Sequence, residues 1–173
     1  MNAIIEAMTQ RRSCKKYLSK PVPMELLEEI ALAGTYAPNG MGKQSGKIVI
    51  VTEPAEVAAL EKLNAEILGN PNGHPFYGAT AVLAVLANTE VPTWVEDGAL
   101  VMGNLLLAAH SLGLGACWIH RARQTFERPE GKALLEKWGI SETYAGVGYC
   151  IVGYADGKIR EAMPRKSDFV VKP

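Results

Sequence analysis

The feature that most restricts the fold of this 173-residue chain is an apolar helix predicted from Val95 to Leu112. Apolar residues occur on nearly all of its faces, so several faces must be buried. Gly113-Leu114-Gly115 then stops the helix, and a strand is predicted from Ala116 to His120. Such a helix needs more cover than a small sheet provides, and we therefore expect part of it to form a dimer interface.

The other predicted elements are shorter, and helices separate the strands along the chain. A first helix carries apolar residues at helical spacing and ends at Arg11-Arg12, and a second runs from Pro23 to Ala33 before Pro38-Asn39-Gly40. The fully apolar run at 81–87 reads as a buried strand. The remaining predictions are a strand over 47–52, helices over 55–68 and 130–138, a strand over 147–154 and a tail after Met163 that forms an extra strand or an arm.

Composition excludes several classes of protein. The 48% of hydrophobic residues suffices for the core of one α/β or α+β domain, and 18 basic residues balance 18 acidic ones, so no overall field favours nucleic acid or an anionic membrane. No apolar run is long enough to cross a bilayer, and the N-terminus lacks the order of a secretory signal. Three widely spaced cysteines argue against a disulfide framework. We therefore expect a cytoplasmic protein.

A basic cluster follows the first helix. Arg11, Arg12 and Lys15 surround Ser13 and provide the donors that bind a phosphate. A solvated basic surface explains this segment equally well, so other segments must decide between the two interpretations.

Four segments, in order, resemble the nitroreductase-like flavoprotein family. The family's R-R-S-x-R/K-x-F/Y signature corresponds to residues 11–17, and its A-P-S-G-x-N-x-Q-P-W loop corresponds in part to residues 37–46. The family's long dimer helix and following strand correspond almost letter for letter to residues 104–119. Its late P-R-K element is present as Pro164-Arg165-Lys166. Together these segments span nearly the whole chain.

The resemblance implies an α+β fold with a central, mostly antiparallel sheet flanked by helices, in an entwined homodimer with two FMN molecules at its interface. Arg11, Arg12, Ser13 and Lys15 would hold the phosphate and the pyrimidine edge, with Arg165 completing the phosphate clamp. The partner would contribute Pro38, Asn39, Gly40 and Gly42. The stretch from Trp118 through Ile119 and His120 to Arg121 would run along the flavin, where a backbone N–H could meet N5. FMN also fits better than FAD, because there is one phosphate clamp and no glycine fingerprint for a pyrophosphate.

Several residues depart from the family pattern. Gly42 stands in place of a side-chain amide, and Ser45-Gly46 in place of Pro-Trp, which removes a rigid aromatic brace. His120 stands where the family often has glycine or glutamate, so it is a candidate to touch cofactor or substrate. These departures affect the expected substrate more than the expected fold.

Other chemistries are disfavoured by context. Gly113-Leu114-Gly115 follows a helix and precedes a strand, the reverse of a dinucleotide fingerprint, and no phosphate loop of the nucleotide-hydrolase type occurs. The three histidines lack metal-ligand spacing, so no metal is expected. Cys14 lies among cations and Cys117 lies in an apolar strand, and packing roles are favoured for both.

The leading hypothesis is an oxidoreductase that passes electrons from NADH or NADPH through FMN to a nitroaromatic, a quinone or a similar small acceptor. In this family the chemistry belongs to the flavin, so the sequence demands no catalytic acid or base. One alternative is a flavin-binding storage or electron-transfer module with little turnover. A basic domain that binds an acidic partner without flavin is disfavoured by the neutral net charge.

Overall fold

The computed structural model describes residues 1–158 and 160–173, in which helices cover both faces of one four-stranded sheet. Pro54 occupies the first turn of its helix, where its missing N–H costs no hydrogen bond. A short 3-10 turn at Gly40–Gly42 precedes the first strand. The elements are α1 (Ala3–Gln10), α2 (Met24–Thr35), β1 (Gly46–Val51), α3 (Pro54–Ile67), β2 (Ala81–Asn88), α4 (Trp94–Ser111), β3 (Gly115–Ile119), α5 (Ala122–Glu127), α6 (Pro129–Lys137) and β4 (Tyr144–Gly153).

The sheet has the order β1-β2-β4-β3, and every neighbouring pair is antiparallel. The central strand β2 is buried from Ala81 to Ala87, as its unbroken apolar run predicted. A bulge opposite Val85 and Leu86 places Val147 out of register in β4. The predicted α+β class with a mostly antiparallel sheet is confirmed, and β3 lies at one edge.

Each face of the sheet packs against its own helices. On one face, Met102 and Leu105 of α4 pack with α2 residues against the odd-numbered residues of β2. On the other face, α3, α5 and α6 contribute Leu60, Phe126 and Leu135. Burying each such side chain stabilises the fold by about 1.5–3 kcal/mol, so the strands between the two layers are firmly positioned.

Helices α1 and α4 leave apolar side chains in solvent. No residue of α1 is buried, and Ile4, Ile5 and Met8 are 62%, 52% and 56% exposed. On α4, Met102 is fully buried, whereas Leu100 is 46% exposed. Within this chain the sheet therefore covers only part of the apolar helix α4.

Two elements differ from the sequence predictions, and the structure decides between the two alternatives predicted for the tail. Helix α5 was not predicted, because six residues are too few to show a helical period and its stability comes from packing Ala122 and Phe126 in the core. Strand β4 begins at Tyr144 rather than Val147, since pairing continues beyond the bulge. In the described part of the tail, residues 160–173 are exposed and contain no strand, so the structure has an arm there.

Candidate functional site

The basic segment lies along the outer edge of β3. The backbone N–H of Cys14 donates to the C=O of Ala116 over 2.9 Å, and Ser13 pairs with Ala116 in a parallel bridge. Farther along, Tyr17 pairs with Ala155. The cations that follow α1 are thereby fixed beside the end of β3.

A cavity of about 480 Å³ lies at this edge. Ser13 and Lys15 line it, together with the predicted stretch from Trp118 to Arg121. Its other lining residues include a loop that sequence reasoning did not assign to the site: Leu68, Asn70, Gly73, His74, Pro75 and Tyr77. The structure therefore brings two of the four predicted segments together and adds a third.

That loop is tied to α3 by Glu61. The carboxylate accepts a hydrogen bond from the N–H of Phe76 at 2.8 Å and lies 3.5 Å from Nδ1 of His74. Lys15 Nζ lies 5.6 Å from the centroid of the Tyr77 ring, within the range of a cation–π contact. These contacts hold the aromatic ring and the ammonium group at the same cavity.

A second cavity of about 410 Å³ adjoins the first through the shared residues Ser13 and Lys15. Arg12 lines it, as do Lys158 and Arg160. Lys16 is also on its wall, where its ammonium pairs with Asp156 at 2.7 Å. Cations outnumber carboxylates on this wall, so an anionic group suits it.

Two guanidinium nitrogens beside β3 have unmet hydrogen-bonding capacity. Nη1 of Arg11 and Nε of Arg12 are buried and have no acceptor among the described residues. Nη1 of Arg12, in contrast, donates to the carbonyls of Thr9 and Arg11 at 2.6 and 2.7 Å. A buried donor without an acceptor is unfavourable, so these two nitrogens are suited to an anionic ligand.

The backbone of Trp118 faces the cavity edge. Backbone groups alternate between the two edges of a strand, and the carbonyl of Ala116 points away from β4 toward Cys14. The N–H of Trp118, two residues farther on, therefore also points away from β4.

The indole ring of Trp118 lies over Gly148. A Cβ added at Gly148 would come within 2.3 Å of the indole Nε1, so only glycine leaves room for the ring.

Beyond β3 the chain turns at Arg121, whose φ of 77° is left-handed. Asn64 of α3, which is fully buried, holds this turn through both atoms of its amide. Its Nδ2 donates to the carbonyl of His120 at 2.8 Å, and its Oδ1 accepts from Arg121 Nε and Nη2 at 3.1 and 3.0 Å. Sequence reasoning missed Asn64, although a polar residue between Leu63 and Ala65 on a buried stripe was an available signal.

The Pro38 to Gly42 loop lies in another part of the chain's fold. Pro38 is exposed, and Asn39 accepts from the N–H of Gln44 at 2.8 Å and lines a cavity of about 420 Å³ between α2 and β1. That cavity shares no lining residue with the one beside β3. Gly42 has a φ of 66°, a conformation that glycine adopts without strain.

Asp97 of α4 anchors this loop. Its buried carboxylate accepts from the N–H of Gly40 at 2.9 Å and from the Ser45 hydroxyl at 2.6 Å. Burial opposes ionisation, yet the hydrogen bonds from Ser45 and Gly40 lower the pKa of Asp97 below its ordinary value. Ser45, at the position matched to Pro-Trp of the family pattern, thus fixes the end of the loop through a hydrogen bond to Asp97. An acidic residue in the first turn of an apolar helix was the available signal for Asp97.

Arg165 is exposed and lines neither cavity beside β3. Its guanidinium donates to the carbonyl of Met163 at 3.1 and 2.7 Å. The structure therefore does not bring Arg165 to the other predicted phosphate ligands of the same chain.

Cys14 and Cys117 are buried, in agreement with their predicted packing roles. Burial raises the pKa of the Cys117 thiol, although Ser13 and Lys15 oppose the increase. A neutral thiol is a weaker nucleophile than a thiolate, which agrees with a packing role for Cys117 at the wall of this cavity.

In the described ranges, no helix has the length and apolarity that spanning a membrane would require. Histidine, cysteine and acidic side chains of residues 1–158 and 160–173 form no cluster suited to a metal ion.

The fold and sequence match known proteins over most of their lengths. A nitroreductase with bound FMN from Bacteroides fragilis aligns with a TM-score of 0.90 and 25% identity, over 99% of this chain and 98% of that one. A second FMN-bound nitroreductase, from Desulfitobacterium hafniense, has a TM-score of 0.89, 24% identity and the same coverage, and shows the shared fold.

A Methanothermobacter thermautotrophicus protein, whose name suggests an NADH dehydrogenase or NAD(P)H nitroreductase, is 35% identical over 124 residues. That alignment covers 66% of this chain and 59% of the relative, so the chain spans less than two thirds of it. The profile of the nitroreductase family matches residues 8–154. The chain therefore belongs to the nitroreductase family.

Proposed function

We propose that this chain is an FMN-dependent oxidoreductase that passes electrons from NADH or NADPH to a small acceptor such as a nitroaromatic or a quinone. The observation that carries the proposal is the cavity beside β3, which Ser13, Lys15 and the 118–121 stretch line, with the buried, unsatisfied donors of Arg11 and Arg12 directly before Ser13 in the chain. FMN bound in the Bacteroides fragilis nitroreductase of the same fold supports the choice of cofactor.

The donors in and around the cavity fit the chemistry of FMN. A phosphate accepts several charge-assisted hydrogen bonds, which Arg11 and Arg12 would supply through their unsatisfied nitrogens. Ser13 and Lys15 would meet the polar pyrimidine edge, and the N–H of Trp118 would donate toward N5. When bound, the flavin supplies the hydride and electron chemistry, while these donors position and tune it.

We further propose that the active form is a homodimer. An eight-residue helix without a buried residue is marginal in water, so α1 requires cover beyond its own protomer. The exposed apolar residues of α1 and α4 provide a surface that a second copy would bury. In such a dimer the partner's Pro38 to Gly42 loop and the Arg165 arm would complete each flavin site.

Two measurements test this function. The flavin released from denatured protein should be FMN in stoichiometric amount, and the holoprotein should consume NADH or NADPH steadily with menadione or nitrobenzene present. Recovery of FAD, or failure to bind any flavin on reconstitution, would contradict the proposal. FMN binding without turnover would instead identify a storage or electron-transfer module.

A further inference from the structure

The cavity beside β3 has a positively charged wall. The charged residues of its lining are Lys15 and Arg121, and none of its lining residues is aspartate or glutamate. The nearby carboxylate of Glu61 lies behind the loop, where it accepts a hydrogen bond from the N–H of Phe76 and lies 3.5 Å from Nδ1 of His74. Because charges in a cleft act through a lower dielectric than water, such a wall favours anionic ligands.

Arg121 has a backbone conformation that is unfavourable for an arginine. Its left-handed φ of 77° is a conformation that glycine adopts freely and residues with a Cβ rarely adopt. Strain of this kind persists where the surroundings hold the residue in place, and it concentrates at functional sites. Here the buried Asn64 donates a hydrogen bond to the carbonyl of His120 and accepts hydrogen bonds from two nitrogens of the Arg121 guanidinium.

Asn64, which accepts the hydrogen bonds of the Arg121 guanidinium, carries no charge. Nearby Arg123 pairs with Glu127 at 3.1 Å and Arg128 pairs with Glu66 at 3.0 Å, so their charges are balanced. Arg121 forms no ion pair with any described residue, and its contact with Asn64 orients the guanidinium without neutralising it. Asn64 occupies Nε and Nη2, which leaves Nη1 available to a ligand.

We propose that Arg121 is a specificity-determining residue that selects acceptors bearing a carboxylate, such as small aromatic nitro acids. This inference rests on the proposed function. Guanidinium and carboxylate form charge-assisted hydrogen bonds, which would orient the acceptor in the cavity. In the reaction, one NADH and one proton reduce the nitro group to a nitroso group, and one oxygen leaves as water.

The test compares 4-nitrobenzoate with 4-nitrobenzamide, which differ in charge but little in shape. In Arg121→Gln, the ratio of kcat/KM for the acid to that for the amide should fall about tenfold relative to the natural chain. The intrinsic reducibility of the two probes cancels in this comparison. Asn64→Asp should act in the same direction, because it places a carboxylate against the intact Arg121 side chain. Arg123→Gln, a control with an exposed and paired arginine, should leave the ratio unchanged.

Binding provides a readout independent of turnover. Titration calorimetry of the FMN-loaded protein with benzoate should show affinity reduced about tenfold in Arg121→Gln, with benzamide affinity unchanged. A ratio that stays constant in both Arg121→Gln and Asn64→Asp would overturn the inference. So would a loss of FMN affinity in Arg121→Gln with unchanged selectivity, since Arg121 would then serve the cofactor. If neither nitro compound is reduced and no FMN binds, the proposed function itself has failed.

Discussion

Arg11 is the single residue that most directly tests where the flavin phosphate binds. Its buried Nη1 has no acceptor among the described residues. Without a ligand, hydrogen bonding by this side chain therefore adds little to the stability of the fold. Arg11→Ala should therefore weaken FMN binding by about 1.5–3 kcal/mol, or tenfold and more, while the melting temperature of the apoprotein changes little. Quenching of FMN fluorescence on titration into apoprotein measures the affinity.

Arg123→Ala is the control for Arg11→Ala, because it removes an exposed arginine whose partner is Glu127. Its FMN affinity should equal that of the natural chain. If Arg11→Ala also retains full affinity, the phosphate binds elsewhere and the neighbouring cavity lined by Arg160 becomes the next candidate.

Motifs predicted the candidate site residues whose type and local spacing point to flavin binding. Ser13, Lys15 and Trp118 were predicted in this way, and the structure places them around one cavity. Asn64 and Asp97 were not found, because each acts on a loop 56 or 57 residues away in the chain. A single sequence shows that such residues are polar among apolar neighbours, but their partners depend on tertiary packing.

Among the structural elements, α4 positions the Pro38 to Gly42 loop through Asp97. Asp97→Asn keeps one acceptor but removes the charge that Ser45 and Gly40 stabilise. We expect the free energy of unfolding to fall by about 1–3 kcal/mol at neutral pH. FMN binding should weaken as well if the loop contacts the flavin of a partner.

The pH dependence of that loss follows from the pKa of Asp97. Although burial alone would raise the value, hydrogen bonds from Ser45 and Gly40 lower the folded-state pKa below the ordinary 3.8. The carboxylate therefore stabilises the fold above about pH 3.8, and the contribution disappears as the pH falls through the lower folded value. Melting temperatures of the natural chain and Asp97→Asn should converge on acidification below this pH. A difference that stays constant down to pH 3 would contradict the assignment.

Periodicity predicted the long elements well and the short ones poorly. α3, α4 and β2 match their predicted bounds to within one or two residues, because each has enough length to show its apolar pattern. Helix α5 has six residues, and its N-cap residue Arg121 turns the chain with a left-handed backbone. Its position depends on Asn64 and on packing against Gly146, which no local pattern reports.

In the whole molecule, the two groups of predicted flavin ligands are separated. The Arg11 to Lys15 segment lies at the β3 edge, whereas the Pro38 to Gly42 loop lies beside α2 and β1, the strand at the opposite edge. Exposed apolar residues on α1 and α4 need cover at the same time. A symmetric dimer would satisfy both requirements by bringing the loop of one protomer to the basic segment of its partner.

Mixed dimers test this arrangement. Arg11→Ala disables one ligand group, and Gly40→Val disables the other, because an added Cβ at Gly40 would lie 2.2 Å from the Thr93 hydroxyl. If the site is composite, a dimer of the two variants contains one intact site and one doubly damaged site. Coexpressed chains carrying different affinity tags, purified through both tags, should then show about half the activity and flavin content of the natural dimer. If verified mixed dimers are no more active than either parent, both groups serve the same protomer, and the loop must reach the β3 edge by a movement within one chain.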